Sequence, residues 1–122
     1  MANFHVIISV SNLTGARFED VSVLVDTGAT LTKVPRSLLA TLGIAPTDRQ
    51  PVQKANGQMI KRDIGEAMIR LNGRSTANPV AFAESGEEPL LGSVTLQSLG
   101  LGVDTINERL IPIALLEMTV CP

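Results

Sequence analysis

Apolar and polar residues alternate along much of the chain, and this alternation predicts a succession of short β-strands. The first alternating run covers residues 3–10. The second covers residues 18–26, in which Val21, Val23 and Val25 share one face. Each run is therefore expected to bury one face of a strand and to leave the other more accessible.

Two Asn-Gly pairs interrupt the next apolar stretches. We predict a long hairpin over VQKANGQMIKRDIGEAMIRL, residues 52–71, with Asn56-Gly57 at its tip. Asn72-Gly73 gives the same signal and leads to a strand through residues 80–82. Because Asn-Gly is the preferred pair of a two-residue type I′ turn, both turns are predicted to be of that type.

Two short helices are predicted between the strands. Pro35 stands at the first position of PRSLLATLG, and Gly43 lies just beyond its end. Leu90-Leu91-Gly92 reads as a short strand, after which Ser93 is expected to cap the helix VTLQSL, with Gly100 as its stop.

The remaining segments are loops and terminal strands. ESGEEP, residues 84–89, is expected to be a solvated acidic turn, because no second ligand cluster accompanies it to favour a metal site. The tail over residues 103–120 carries one or two more strands. Many short strands with frequent Gly and Pro turns favour an all-β barrel or sandwich, in a single domain spanning residues 1–122.

Composition narrows the function. Aromatic residues make up only 2% of the chain, so the core must be aliphatic and a stacking platform for single strands is not expected. The ten basic and twelve acidic residues are scattered, which gives no electrostatic footprint for nucleic acid or an anionic membrane.

Other chemistries find little support. Cys121, the one cysteine, cannot form an internal disulfide, and His5 lies in an alternating run that predicts a strand side chain rather than a ligand. The chain lacks a signal-peptide pattern and any run approaching the roughly 20 apolar residues of a membrane span. The initial Met predicts a stand-alone chain, and we expect a cytoplasmic protein without cofactor or membrane partner.

The most informative stretch is VLVDTGAT, in which an apolar strand ends at Asp26. Desolvating a carboxylate is costly unless it is hydrogen-bonded or paired. Thr27 supplies a hydroxyl that can lock the loop, and Gly28 lets the backbone approach the carboxylate or a ligand closely. Two such carboxylates face to face share one proton and can activate a water between them for attack on an amide. One copy of the loop cannot do this.

The chain resembles the retroviral-type (retropepsin-like) aspartic proteases, whose subunit carries one such loop and works as a homodimer. An apolar strand enters Asp26-Thr27-Gly28-Ala29, a glycine-containing hairpin follows at the position of the flap, and Leu90-Leu91-Gly92 precedes a helix. The similarity runs over roughly residues 5–113. It implies a closed all-β barrel with a flap hairpin, one or two short helices and an active site shared by two subunits.

The resemblance also implies roles for individual residues. Asp26 would be the catalytic carboxylate, paired with Asp26 of a second subunit. Thr27 would be the interlocking hydroxyl beside the pair, and Gly28 the backbone acceptor for a peptide or protein substrate. No metal is implied, and the aliphatic composition suggests apolar residues around the scissile bond. The implied substrate-binding residues are Ala29, Thr30, Ala55, Asn56, Gly57, Gln58 and Leu91.

The chain departs from the family pattern at two places. Many viral members carry Asp and Arg where this chain has Thr30 and Ser93, so an ion pair is absent together with both of its partners. The C-terminal segment is also unexplained. Ile111, Ile113 and two leucines after them could interleave with a second subunit or form an ordinary edge strand; the two leucines are Leu115 and Leu116.

Two other interpretations stay open at this point. The fold could serve as a catalytically silent dimerisation or peptide-binding module that retains Asp26 for structure. Alternatively, an unrelated aliphatic β-domain could carry the Asp-Thr-Gly turn by chance, which predicts a monomer without a cleft at Asp26.

Overall fold

The computed structural model describes residues 4–115, and the following statements concern that part of the chain. The predictions for Leu116, for Cys121 and for the ends of the chain lie outside the described residues. Nine strands and two short helices make the fold all-β, as predicted. Their bounds in chain order are β1 His5–Ser11, β2 Glu19–Val25, β3 Thr32–Pro35, α1 Arg36–Thr41, β4 Asp48–Gln53, β5 Met59–Leu71, β6 Arg74–Ala83, β7 Leu90–Leu91, α2 Ser93–Ser98, β8 Leu101–Asp104 and β9 Arg109–Pro112.

Most strands form one sheet that closes on itself. The strand order is β1-β2-β7-β3-β6-β5-β4, and an additional pairing of β1 with β5 completes a ring of six strands. β4 lies outside the ring, paired with β5 alone as an edge strand. β8 and β9 form a separate two-stranded sheet. The ring places the end of β2 beside β7, which fixes the position of the loop that follows β2.

The core is aliphatic, because the alternating residues of the ring point inwards. Ile8, Val10, Val23 and Val25 are completely buried, which confirms the alternation predicted for the first two strands. Phe82 is the one aromatic side chain of this cluster. Branched aliphatic residues suit such a half-buried pleated surface, so the low aromatic content is no obstacle to a packed interior.

One strand and the starts of both helices differ from the predictions. The strand β3 was not expected, since the sequence after the Asp26 loop shows no clear alternation. The first helix begins at Arg36, so Pro35 precedes it rather than opening it. The second helix starts at Ser93 with Gly92 in the cap position and no side-chain cap, so Ser93 is not the cap.

The two Asn-Gly pairs form different turns. Asn72 and Gly73 have φ of 53° and 79°, as a type I′ turn requires, and this prediction is confirmed. At the other pair only Gly57 is left-handed, with φ of 87°. There the Lys54 N–H donates to the Gln58 carbonyl and the Gly57 N–H to the Lys54 carbonyl, so the loop has three residues and the type I′ prediction is wrong.

The acidic loop after β6 is held by arginines instead of being merely solvated. Glu87 binds Arg62 through both oxygens, at 2.6 and 3.0 Å, and the Arg62 side chain is only 6% exposed. This hydrogen-bonded pair lowers the pKa of Glu87 to about 2. Glu84 binds Arg36, which also reaches Asp63 of β5. The loop is thereby tied to the base of the β4–β5 hairpin.

Neither helix in the described part of the chain is long and apolar enough to cross a membrane.

Candidate active site

Asp26 immediately follows β2 and is held there by backbone hydrogen bonds. Its N–H donates to the Leu91 carbonyl of β7 at 3.0 Å. Its Oδ1 accepts the Gly28 N–H at 3.0 Å, and its carbonyl accepts the Ala29 N–H at 3.1 Å. The Asp26 side chain is partly exposed, and Thr27 beside it is exposed. The loop therefore orients one carboxylate oxygen internally and presents the group at the surface of this chain.

The second half of the loop is bonded to the start of α2. The Ser93 N–H donates to the Ala29 carbonyl at 2.8 Å, and the Val94 N–H donates to the Thr30 carbonyl at 3.0 Å. The carbonyls of Ala29 and Thr30 thus accept the first two N–H groups of α2. These two backbone hydrogen bonds attach the loop to α2.

A buried hydroxyl pair fixes the chain just after the loop. Thr32 Oγ1 lies 2.6 Å from Thr95 Oγ1 and accepts the Gly92 N–H at 3.0 Å. Gly92 packs so closely that a Cβ there would lie 2.5 Å from the carbonyl carbon of Leu31. Only glycine fits this approach of backbone to backbone. These contacts join β3, β7 and α2 behind the Asp26 loop.

Of the two leucines of β7, only one faces the same side as Asp26. The Leu91 side chain is completely buried, so Leu91 supports Asp26 through its carbonyl. Leu90 is partly exposed and pairs with both Leu24 and Lys33 of the neighbouring strands. We therefore expect the side chain of Leu90, rather than that of Leu91, to contact a ligand on this face.

The predicted flap is the hairpin formed by β4 and β5. Its tip, residues 54–58, is exposed throughout, and the Asn56 side chain accepts the Gln58 N–H at 2.9 Å. The hairpin base is fixed by Asp63, which binds Arg36 at 2.6 Å and Arg49 at 3.3 Å. The predicted tip residues Ala55, Asn56, Gly57 and Gln58 thus share one loop on an anchored support.

Lys33 links these parts electrostatically. Burial lowers the pKa of Lys33, and this is the largest effect. The negative charges of Glu87 and Asp26 raise that pKa, whereas the positive charges of Arg62 and Lys54 lower it. The charges of Lys54 at the flap tip and of Asp26, the predicted catalytic carboxylate, therefore both act on the Lys33 ammonium.

Sequence reasoning named the loop from Asp26 to Thr30 but did not name four residues around it: Thr32 with its partner Thr95, Lys33 and Leu90. The sequence after the loop shows no clear alternation, and the one available signal was the pair of β-branched residues Thr32 and Val34, which favours a strand. Among the described residues no cluster of three or more His, Cys, Asp or Glu side chains could hold a metal ion.

Comparison with known proteins agrees with this architecture. The model of the family described as "gag-polyprotein putative aspartyl protease" matches residues 16–98, more than half of the chain. Among solved structures, the EIAV protease in complex with the inhibitor HBY-793 superposes with a TM-score of 0.57 at 19% identity, covering 80% of this chain and 88% of that one. No curated protein matches the chain.

The fold and the Asp-Thr-Gly loop define a retropepsin-like protein of the aspartic protease class. The chain belongs to the gag-polyprotein aspartyl protease family.

Proposed function

We propose that the protein is an aspartic endopeptidase whose active site forms when two copies bring their Asp26 loops together. The observation that carries this proposal is the Asp26 loop itself: an intact Asp-Thr-Gly turn, held by β7 and α2, that presents a single carboxylate at the surface. Family membership supports the reaction class. A single carboxylate lacks the acid that the reaction needs beside the base, which is the reason for a second copy.

In the proposed reaction a water lies between the two Asp26 carboxyl groups, of which one is ionised and one is protonated. The ionised group takes a proton from the water as its oxygen bonds to the peptide carbonyl carbon, and the protonated group gives its proton to the carbonyl oxygen. The C–N bond then breaks as the amide nitrogen takes a proton from the dyad, and one hydroxyl group of the tetrahedral intermediate returns its proton to the ionised carboxyl group as the C=O bond re-forms. The two carboxyls end the cycle sharing one proton again.

The surrounding residues have supporting roles in this proposal. The Thr27 hydroxyl of each copy would bond across to the other and hold the two loops in register, and the Gly28 carbonyl would accept a substrate N–H. Ala29, Thr30 and Leu90 would contact the extended peptide from below. The flap tip, residues 54–58, would cover it from above, with the peptide paired through its backbone.

The test is the substitution Asp26→Asn, which preserves shape and removes the ionisable group. We expect the wild-type protein to cleave members of a diverse peptide library and Asp26→Asn to cleave none. Sedimentation velocity should give the same dimer mass for both proteins. Asp20→Asn is the matched control, because Asp20 is an exposed carboxylate of the same strand, and its cleavage rate should stay close to wild type.

Two results would contradict the proposal. A wild-type dimer that binds peptides and cleaves none would favour a catalytically silent peptide-binding or dimerisation module on the same fold. A protein that stays monomeric at all concentrations would leave Asp26 without its acid partner.

A further inference from the structure

Lys33 occupies a face of the sheet that its neighbours in sequence avoid. Thr32 and Val34, on either side of it in β3, are completely buried and point into the interior. Because successive side chains of a strand point to opposite faces, Lys33 points the other way.

The same alternation places Asp26 on that face. Val23 and Val25 of β2 are completely buried, so Leu24 points away from the interior, and Asp26 follows in the same phase. Leu90 of β7 pairs with Leu24 on one side and with Lys33 on the other. Leu24, Leu90 and Lys33 thus form a row across three strands beside Asp26, and we call this row the groove row.

Lys33 is a cation without a fixed partner inside the described part of the chain. Its side chain makes neither a salt bridge nor a hydrogen bond with residues 4–115. Every fully buried polar side-chain atom in these residues has a hydrogen-bond partner. Because the Lys33 ammonium has none, it is not fully buried and is accessible to solvent. The nearby Glu87 uses both of its oxygens to bind Arg62.

Lys33 lies close enough to both the proposed catalytic group and the flap tip for their charges to act on it. Its side chain is partly buried, which lowers its pKa, and Glu87, Arg62, Lys54 of the flap tip and Asp26 are the charged groups that also act on that pKa. A partly desolvated ammonium gains more from an anionic partner than an exposed one does. An anion that enters this space from outside would meet a cation already in place.

We propose that Lys33 makes the enzyme select substrates with an acidic side chain close to the scissile bond. This inference rests on the proposed protease function. Neighbouring strands lie about 4.8 Å apart, so Lys33 is about 10 Å from Leu24 across the groove row. An extended peptide advances about 3.3 Å per residue. An acidic side chain that reaches Lys33 would therefore stand two or three positions from the scissile bond.

Lys33 alters the substrate specificity that the aliphatic composition alone predicts. Leu24 and Leu90 of the groove row still favour apolar residues nearest the scissile bond, and Lys33 adds an acidic preference next to them. In a symmetric dimer each copy contributes one Lys33, so the preference should arise on both sides of the bond.

The experiment compares peptides that differ by Glu against Gln at one position, chosen from the cleavage sites of a peptide library. For wild type we expect a kcat/KM about tenfold higher for the Glu peptide, the size of one charge-assisted hydrogen bond. Lys33→Met should reduce the ratio to about one, Lys33→Arg should keep it, and Lys33→Glu should reverse it. Lys61→Met removes an exposed lysine of β5 and should retain the preference.

Binding provides a readout that does not need turnover. In the Asp26→Asn background, the Glu peptide should bind more tightly than the Gln peptide, and Lys33→Met should abolish this difference. Lys33→Arg keeps the charge and serves as the folded reference if Lys33→Met is unstable.

The outcomes separate the two proposals. A protein that cleaves peptides with equal preference for Glu and Gln, or a Lys33→Met variant that keeps the Glu preference, overturns the role of Lys33 and leaves the protease proposal standing. A wild-type protein that cleaves no peptide overturns the protease proposal, and the role of Lys33 with it.

Discussion

The hydroxyl oxygens of Thr32 and Thr95 lie 2.6 Å apart in the buried layer that joins the Asp26 loop to α2. Thr32 also accepts the Gly92 N–H, so one hydroxyl group connects β3, β7 and α2. Buried polar groups of this kind stabilise a single arrangement only while each has its partner. The position of the proposed catalytic loop therefore depends on a contact that has no part in the chemistry.

Thr32→Val should lower the free energy of unfolding by about 1–3 kcal/mol, because it leaves the Gly92 N–H and the Thr95 hydroxyl without their partner. Urea unfolding measures the change. Thr41→Val, at an exposed threonine of α1, should stay within about 0.5 kcal/mol of wild type. The Thr32→Val/Thr95→Val double variant should lose less than the sum of the two single variants. Additive losses would show that the two hydroxyls act independently.

Gly92→Ala should destabilise the folded state strongly, although it adds only one methyl group. The new Cβ would lie 2.5 Å from the carbonyl carbon of Leu31 and 2.6 Å from its oxygen, and backbone atoms cannot swing aside. We expect a lower melting temperature and, in the folded fraction, reduced peptide cleavage, since Leu31 continues directly from the Asp26 loop. Gly102→Ala is the comparison, because its Cβ would meet only side-chain atoms, the nearest being Cγ2 of Ile113 at 3.0 Å. Equal losses for the two variants would argue against backbone crowding at Gly92.

Acid should weaken the fold through Glu87. The Arg62 contact lowers the Glu87 pKa from 4.5 to about 2, so the carboxylate stabilises the folded state above the unfolded pKa. This contribution, roughly 3 kcal/mol at most, is lost as the pH falls from about 4.5 towards 2. Glu87→Gln should therefore be less stable than wild type at pH 7, and the difference should shrink in that window. Glu66→Gln, at an exposed glutamate of β5, should follow the wild-type curve; a constant gap for Glu87→Gln would contradict this account.

Mixing active and inactive chains tests whether the site is shared. If the site needs Asp26 from both copies, an equal mixture of wild type and Asp26→Asn leaves about a quarter of the dimers fully active after exchange. Specific activity of wild type alone should also rise with protein concentration until dimers are saturated. Activity that falls only to half on mixing would indicate that each chain works alone.

Local patterns predicted most strands, though not β3, and the Asp26 turn, because alternation and a terminating Asp-Thr-Gly turn are written in consecutive residues. The same Asn-Gly signal was confirmed at Asn72-Gly73 and failed in turn type at Asn56-Gly57. There the hairpin closes with a three-residue loop in which Gly57 alone is left-handed. The choice depends on the register of β4 against β5, which the pair itself does not encode.

Contacts between distant residues were beyond local patterns. Ser93 has the side chain of a helix cap, but Gly92 takes that position because its approach to Leu31 admits no other residue. The acidic loop seemed solvated because Arg36 and Arg62 come from elsewhere in the chain. Lys33 received no role from the sequence, because only the pairing of β3 with β7 brings it to the side of Asp26.

The hairpin strand β4 has one consequence for behaviour at high concentration. Among the strands of residues 4–115 it pairs with β5 alone, and such a free edge can pair with a strand of another molecule. Pro51 lies in the middle of β4, and a proline within a sheet directs its nitrogen, which has no hydrogen to donate, towards the unpaired side. Pro51 thereby disfavours edge-to-edge aggregation of the protein along β4.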